Sequence, residues 1–131
     1  MSETAAPRYN VLEIMTDQHQ AEAMGHEGHP QAITPNMDRL AAEGVRFSQA
    51  YTANPICTPT RVSVLSGQYC HNHGYYGLSG PHPDNLPDFL SYFGRHGYRT
   101  AILGKTHLPN DPIEWLRDRV DLHVSMGGDK A

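Results

Sequence analysis

Cys57, Thr58, Pro59, Thr60 and Arg61 put a thiol, two hydroxyls and a guanidinium into one short segment, with Leu65, Ser66 and Gly67 following it. A proline is favoured at the first position of a helix, so the spacing predicts a helix starting at Pro59. Cys57 then sits at the mouth of the preceding loop, with the fixed charge of Arg61 one turn behind it. Direct attack by a Cys57 thiolate on a phosphate is a poor fit. A cysteine–arginine phosphate loop needs about five intervening residues whose N–H groups cradle the anion. Here there are three, and one is a proline with no N–H.

Two other polar groups fall where chain patterning places the ends of strands. Tyr9 to Met15 is an almost continuous apolar run, the pattern of a buried strand, and it opens into Thr16, Asp17, Gln18 and His19. Glu13 interrupts it, and a sheet edge or an ion pair would each accommodate that carboxylate. Tyr98 to Leu103 reads as a second strand, ending at Gly104, Lys105, Thr106 and His107. In open α/β sheets ligands bind beyond the carboxyl ends of strands, which makes Asp17, Gln18, Lys105 and His107 candidates for a site.

The elements between them follow from local signals. Residues 21–33 carry Gly25, Gly28 and Pro30 and read as irregular. Thr34 as N-cap, Pro35 at the first helical position and the stripe Met37, Leu40, Ala41 predict a helix closed by Gly44. Residues 45–51 alternate like a strand. Residues 68–83, rich in Gly, His and Tyr, have no period and read as a loop lining something. Asn85 is expected to cap a helix that buries Leu86, Phe89, Leu90 and Phe93 and ends at Gly97. Asp111, Pro112 and Glu114 signal another helix with Ile113, Leu116 and Val120 on one face. Strand and helix alternate, so the class is α/β, and no internal repeat is visible.

The chain has 131 residues and a net charge of −4, enough length for a real core and no basic stripe for nucleic acid. Residues 1–8 read as a polar leader without an apolar signal segment, residues 9–125 as the folded portion and residues 126–131 as a frayed tail. No apolar run is long enough for a membrane span. The expectation is a soluble, cytoplasmic protein whose Cys57 and Cys70 stay reduced. His26 with His29, and His71 with His73, have chelating spacings, but no partner completes a zinc pattern.

With these residues in view, a family resemblance is identified. Cys57-Thr58-Pro59-Thr60-Arg61 with Leu65-Ser66-Gly67 resembles the signature of type I sulfatases, members of the alkaline-phosphatase-like superfamily. Asn10 to Gln18 resembles that family's first strand and metal-binding acidic pair, and residues 97–107 resemble its second signature. Thr34 to Leu40 adds to the match, which covers residues 9 to 110 or so. Ser66 stands where threonine is usual, Leu103 where a smaller or β-branched residue is common, and Gln18 where many members have a second Asp. The Asp17-Gln18 form resembles the branch that includes phosphonate and phosphate monoester hydrolases and some arylsulfatases.

The resemblance implies the N-terminal part of an alkaline-phosphatase-like sandwich, with a central sheet flanked by helices. It implies that Cys57 is oxidised to formylglycine by a formylglycine-generating enzyme. The hydrated aldehyde would attack a sulfate or phosphonate ester with one hydroxyl, and the second hydroxyl would collapse the intermediate by C–O cleavage. Asp17, Gln18 and the converted Cys57 would be ligands of a divalent metal, Ca²⁺ first, with Mg²⁺ or Mn²⁺ as alternatives. Arg61 and Lys105 would neutralise charge on the transferring oxygens, and His107 would manage the second hydroxyl's proton. Thr60 would support the loop, and His73 is a candidate pocket residue.

In that family a second metal-binding acidic pair and further Lys and His residues come from far downstream, and nothing after His107 matches them. Asp118, Asp121 and Asp129 lie in or beyond the last expected helix, and the family's catalytic domain is longer than this chain. Two expectations follow: a sulfatase completed by a homo-oligomer or a complementing chain, or a non-catalytic fragment serving as an interaction module.

Overall fold

The structure is a computed structural model, and it describes residues 8–80, 85–108 and 119–125. The chain divides into two compact units, residues 1–48 and 49–131.

In the first unit a single 3-10 turn, Gly25–Glu27, precedes helix α1, Pro35–Glu43. Pro35 opens α1 and the Gly44 amide closes it on the Leu40 carbonyl, as the sequence predicts. Thr34 does not cap with its side chain. Its hydroxyl instead accepts the Gly25 amide at 2.8 Å and donates to Asp38 Oδ1 at 2.9 Å. Asp38 also receives the His26 amide and faces the His26 ring at 3.0 Å. The contacts from His26 first, and Thr34 second, hold the Asp38 carboxyl below its usual range.

Two expected strands are not formed. Residues 9–15 and 45–51 have no ladder partner, and a turn falls at residues 48 and 49. An apolar run has strand propensity, but a strand exists only where a neighbour takes its backbone groups. No described residue from 8 to 48 is buried, so Met37 and Leu40 of the predicted stripe are exposed as well.

The second unit holds the core. Helix α2, Cys57–Ser66, is followed by the short helix α3, Cys70–His73, then α4, Phe89–Arg95, strand β1, Ala101–Gly104, and strand β2, Leu122–Ser125. Val62 and Leu65 of α2, Tyr75, Leu86, Leu90 of α4 and Leu108 form one buried cluster, with Phe89, Ile102 and Val120 packed against it. Strands β1 and β2 run parallel, pairing Ala101 with Leu122 and Gly104 with Ser125. This small parallel sheet with helices confirms the α/β class.

Three boundaries differ from expectation. Helix α2 begins at Cys57, not Pro59. Pro59 then occupies the third position, where its missing N–H is still one of those that no helix start can satisfy internally. Helix α4 is capped by Asp88, not Asn85. Pro87 disfavours a helical Leu86, and Asp88 Oδ1 accepts the Ser91 amide at 2.7 Å. Gly97 ends α4 as predicted, with φ 76°. The expected loop over 68–83 contains α3. Strand β2 lies between the expected last helix and the expected tail, where no element was expected, and Val120 is not helical. Residues 111–118 of the expected last helix and the tail 126–131 fall outside the described residues.

Candidate active site

Helix α2 presents Cys57 as its first residue, a half-buried reduced thiol at the positive end of a ten-residue helix. The loop ahead of it is built by Asn54. Its side-chain oxygen accepts the Ile56 amide at 3.1 Å, an Asx turn, and its Nδ2 donates to the Tyr76 carbonyl at 3.2 Å. The hydroxyls of Thr52 and Thr60 lie 2.7 Å apart, and both donate to the Asn54 carbonyl. Thr60 thus joins the entry of the chain to the start of α2.

The turn after β1 is held against the start of this helix by two bonds. Arg61 Nη1 donates to the Lys105 carbonyl at 2.8 Å. Thr58 Oγ1 donates to the His107 carbonyl at 3.0 Å, and Thr58 is almost fully buried. Residues distant in sequence are therefore neighbours: Cys57 and Arg61 from α2, Lys105 and His107 from the turn. Gly104, with φ 94°, makes the turn possible, because a side chain there would be strained.

Gln18 and His107 are the two non-glycine residues with positive φ among the described residues, at 55° and 43°. Such conformations cost roughly 1–3 kcal/mol each and tend to collect at functional sites. Both positions are among the candidates that the sequence points to. Asp17 and Gln18 form a bend in the first unit. A hard divalent ion takes six or more oxygen ligands. Among the described residues no group of three His, Cys, Asp or Glu converges, so these residues alone do not close a metal cage. Asp121 serves the backbone instead, its Oδ2 accepting the Thr100 amide at 2.7 Å.

His73 is interior, with Nε2 2.9 Å from Ser63 Oγ and Nδ1 accepting the Tyr75 amide at 3.1 Å. Thr58, Asn54 and Ser63 carry the site's geometry, yet sequence reasoning did not assign them roles. Only Asn54, ahead of a proline, carried a local turn signal.

No helix among the described residues is long and apolar enough to cross a membrane. The chain matches the family model described as Sulfatase over residues 9–113. It is 36% identical to an N-acetylglucosamine-6-O-sulfatase of Bacteroides thetaiotaomicron, over 80% of this chain and 19% of that protein. It is 38% identical to human arylsulfatase D, over 75% of this chain and 18% of that protein. Among solved structures it superposes on BT4656 in complex with its substrate D-glucosamine-2-N,6-O-disulfate, with a TM-score of 0.69 and 38% identity. That match covers 75% of this chain and 20% of BT4656. The chain thus spans about a fifth of the length of these relatives. With the start of α2 bonded to the backbone of Lys105 and His107, and with a family match over most of its length, the chain belongs to the sulfatase family.

Proposed function

We propose that this chain supplies the nucleophile segment and the cationic wall of a site that hydrolyses sulfate monoesters, with Cys57 converted to formylglycine. The observation that carries this is the pair of bonds from Arg61 and Thr58 to the Lys105 and His107 carbonyls. They tie the start of α2, which carries Cys57 and Arg61, to the backbone of Lys105 and His107, all within the second unit. Formylglycine supplies a hydrated aldehyde, a nucleophile that a serine or cysteine cannot replace. Arg61, oriented by the Lys105 carbonyl, and Lys105 face the charge that grows on the transferring oxygens. His107 handles a proton beside position 57. A divalent cation of the calcium or magnesium class belongs to the proposal, with Asp17, Gln18 and the converted Cys57 as oxygen donors.

Sulfated sugars are the first substrates to test, since sugar sulfatases appear among the relatives by name. Phosphonate monoesters are a second class, suggested by Gln18 in place of Asp. A different reading, an interaction module without catalysis, draws on the exposed side chains of Val11, Leu12, Ile14 and Phe47.

The test is turnover of 4-nitrophenyl sulfate by protein from its native cell, or from a host that also expresses a formylglycine-generating enzyme. Activity should disappear with a chelator, return with Ca²⁺ or Mg²⁺, and be absent in Cys57→Ala. Arg61→Ala should lower kcat/KM by about 10²–10³, the usual effect of removing one transition-state donor. Activity of Cys57→Ala equal to that of the unmodified sequence would contradict the proposal. Absence of turnover under every metal condition, with self-association of the chain, would favour the interaction module.

A further inference from the structure

His73 is only 1% exposed, and its ring sits between two partners. The Tyr75 amide can only donate, so Nδ1, which accepts it at 3.1 Å, carries a lone pair. The ring proton of the neutral side chain must then be on Nε2, which donates to Ser63 Oγ at 2.9 Å. That assignment excludes His73 as a general base toward Ser63, because the nitrogen facing the hydroxyl is the protonated one. It also means that the ring links α3 and the Tyr75 backbone to α2, the helix that begins with Cys57 and carries Arg61.

Protonation would place a second N–H at Nδ1, pointing at the Tyr75 N–H. Two donors cannot share that contact, and Tyr75 cannot easily withdraw. Tyr75 is 1% exposed, and its ring lies against Gly80 so closely that a Cβ there would overlap ring carbon Cδ1. Turning of the His73 ring away from the Tyr75 amide is the remaining way to relieve the clash, and it takes Nε2 off Ser63 Oγ, the bond that ties α3 to α2.

We propose that His73 is a positioning residue for the helix bearing Cys57, and that it acts as an acid-sensitive latch: neutral, it holds α2 to α3, and protonated, it lets them part. Only the catalytic consequence rests on the sulfatase reading. The latch itself is a property of the fold. Burial first, and the neighbouring His71 second, push protonation of His73 to more acid pH. The other groups around it are accounted for. Ser63 is neutral, the Tyr75 phenol is pushed up by burial, and Arg61, the one charged residue on α2, directs its guanidinium to the Lys105 carbonyl. A histidine depressed in the folded state stabilises fully above its unfolded value, here 6.5. Its contribution declines as the pH falls below that value and is gone below the folded value.

The test is long-range ¹H–¹⁵N correlation of the histidine rings in the full chain, followed from about pH 8 to about pH 5, the range of histidine titration. The expected result is a neutral Nε2–H ring for His73, with α2 amides losing exchange protection only as that ring protonates. His73→Gln keeps a donor toward Ser63 but cannot titrate. Whatever its overall stability, its thermal midpoint should fall at most about half as steeply on acidification as that of the unmodified chain. An Nδ1–H ring, or an unchanged acid slope in His73→Gln, would overturn the latch. The expected tautomer and slope in a protein that turns over no sulfate ester would uphold the latch and contradict the sulfatase proposal alone.

Discussion

At the scale of single residues, Thr58 supplies the uncharged one of the two bonds that pin the site. Its hydroxyl reaches the His107 carbonyl from a fully interior position. Thr58→Val keeps the shape and removes the buried donor to the His107 carbonyl. The expected cost is about 1–3 kcal/mol of stability, measured by urea unfolding, with a larger loss in kcat than in KM as His107 loses its anchor. The candidate residues were legible as candidates because their spacing is local: Cys57 and Arg61 are one helical turn apart, and Lys105 and His107 share one short segment. Thr58's role was not, because its partner lies 49 residues away and a threonine between a cysteine and a proline carries no sign of it. His73 was a candidate pocket residue, but its bond to Ser63, ten residues earlier, carries no local signal either.

At the scale of elements, the helices were read better than the strands. Capping and proline signals are local, so α1 opens and closes where they predict. For α4 the buried face through Leu86 and Leu90 is right, while the cap shifts to Asp88. Strands depend on partners that no local pattern names, hence the unformed ladders at 9–15 and 45–51. The alternation of Leu122 and Val124 around His123 is the local signal for β2, too short to name a strand by itself. The Asp88 cap also joins distant segments. Arg119 Nη1 bonds Asp88 Oδ2 at 2.8 Å and the Leu86 carbonyl at 3.1 Å, with the Asp88 side chain 1% exposed. Arg119→Met removes one partner of this pair and leaves the carboxylate buried. A loss of about 3–5 kcal/mol is expected by denaturant titration. A loss under about 1 kcal/mol would mean that Ser91 alone satisfies Asp88.

At the scale of the whole molecule, the chain matches about a fifth of each relative's length, and the apolar side chains of residues 9–15 remain exposed. The second unit carries both the core and the pinned residues, whereas the proposed metal donors Asp17 and Gln18 belong to the first. Everything proposed for catalysis depends on one chemical change at the start of α2. The most direct measurement is the intact mass of the tryptic peptide from Phe47 to Arg61, taken from protein made in its native cell. Conversion of Cys57 replaces its thiol with an aldehyde, so the peptide should be lighter by the mass of H₂S less that of one oxygen, and an aldehyde-reactive hydrazide should label it. A peptide of unaltered mass, alkylated at Cys57 by iodoacetamide and unreactive to hydrazide, would contradict the account.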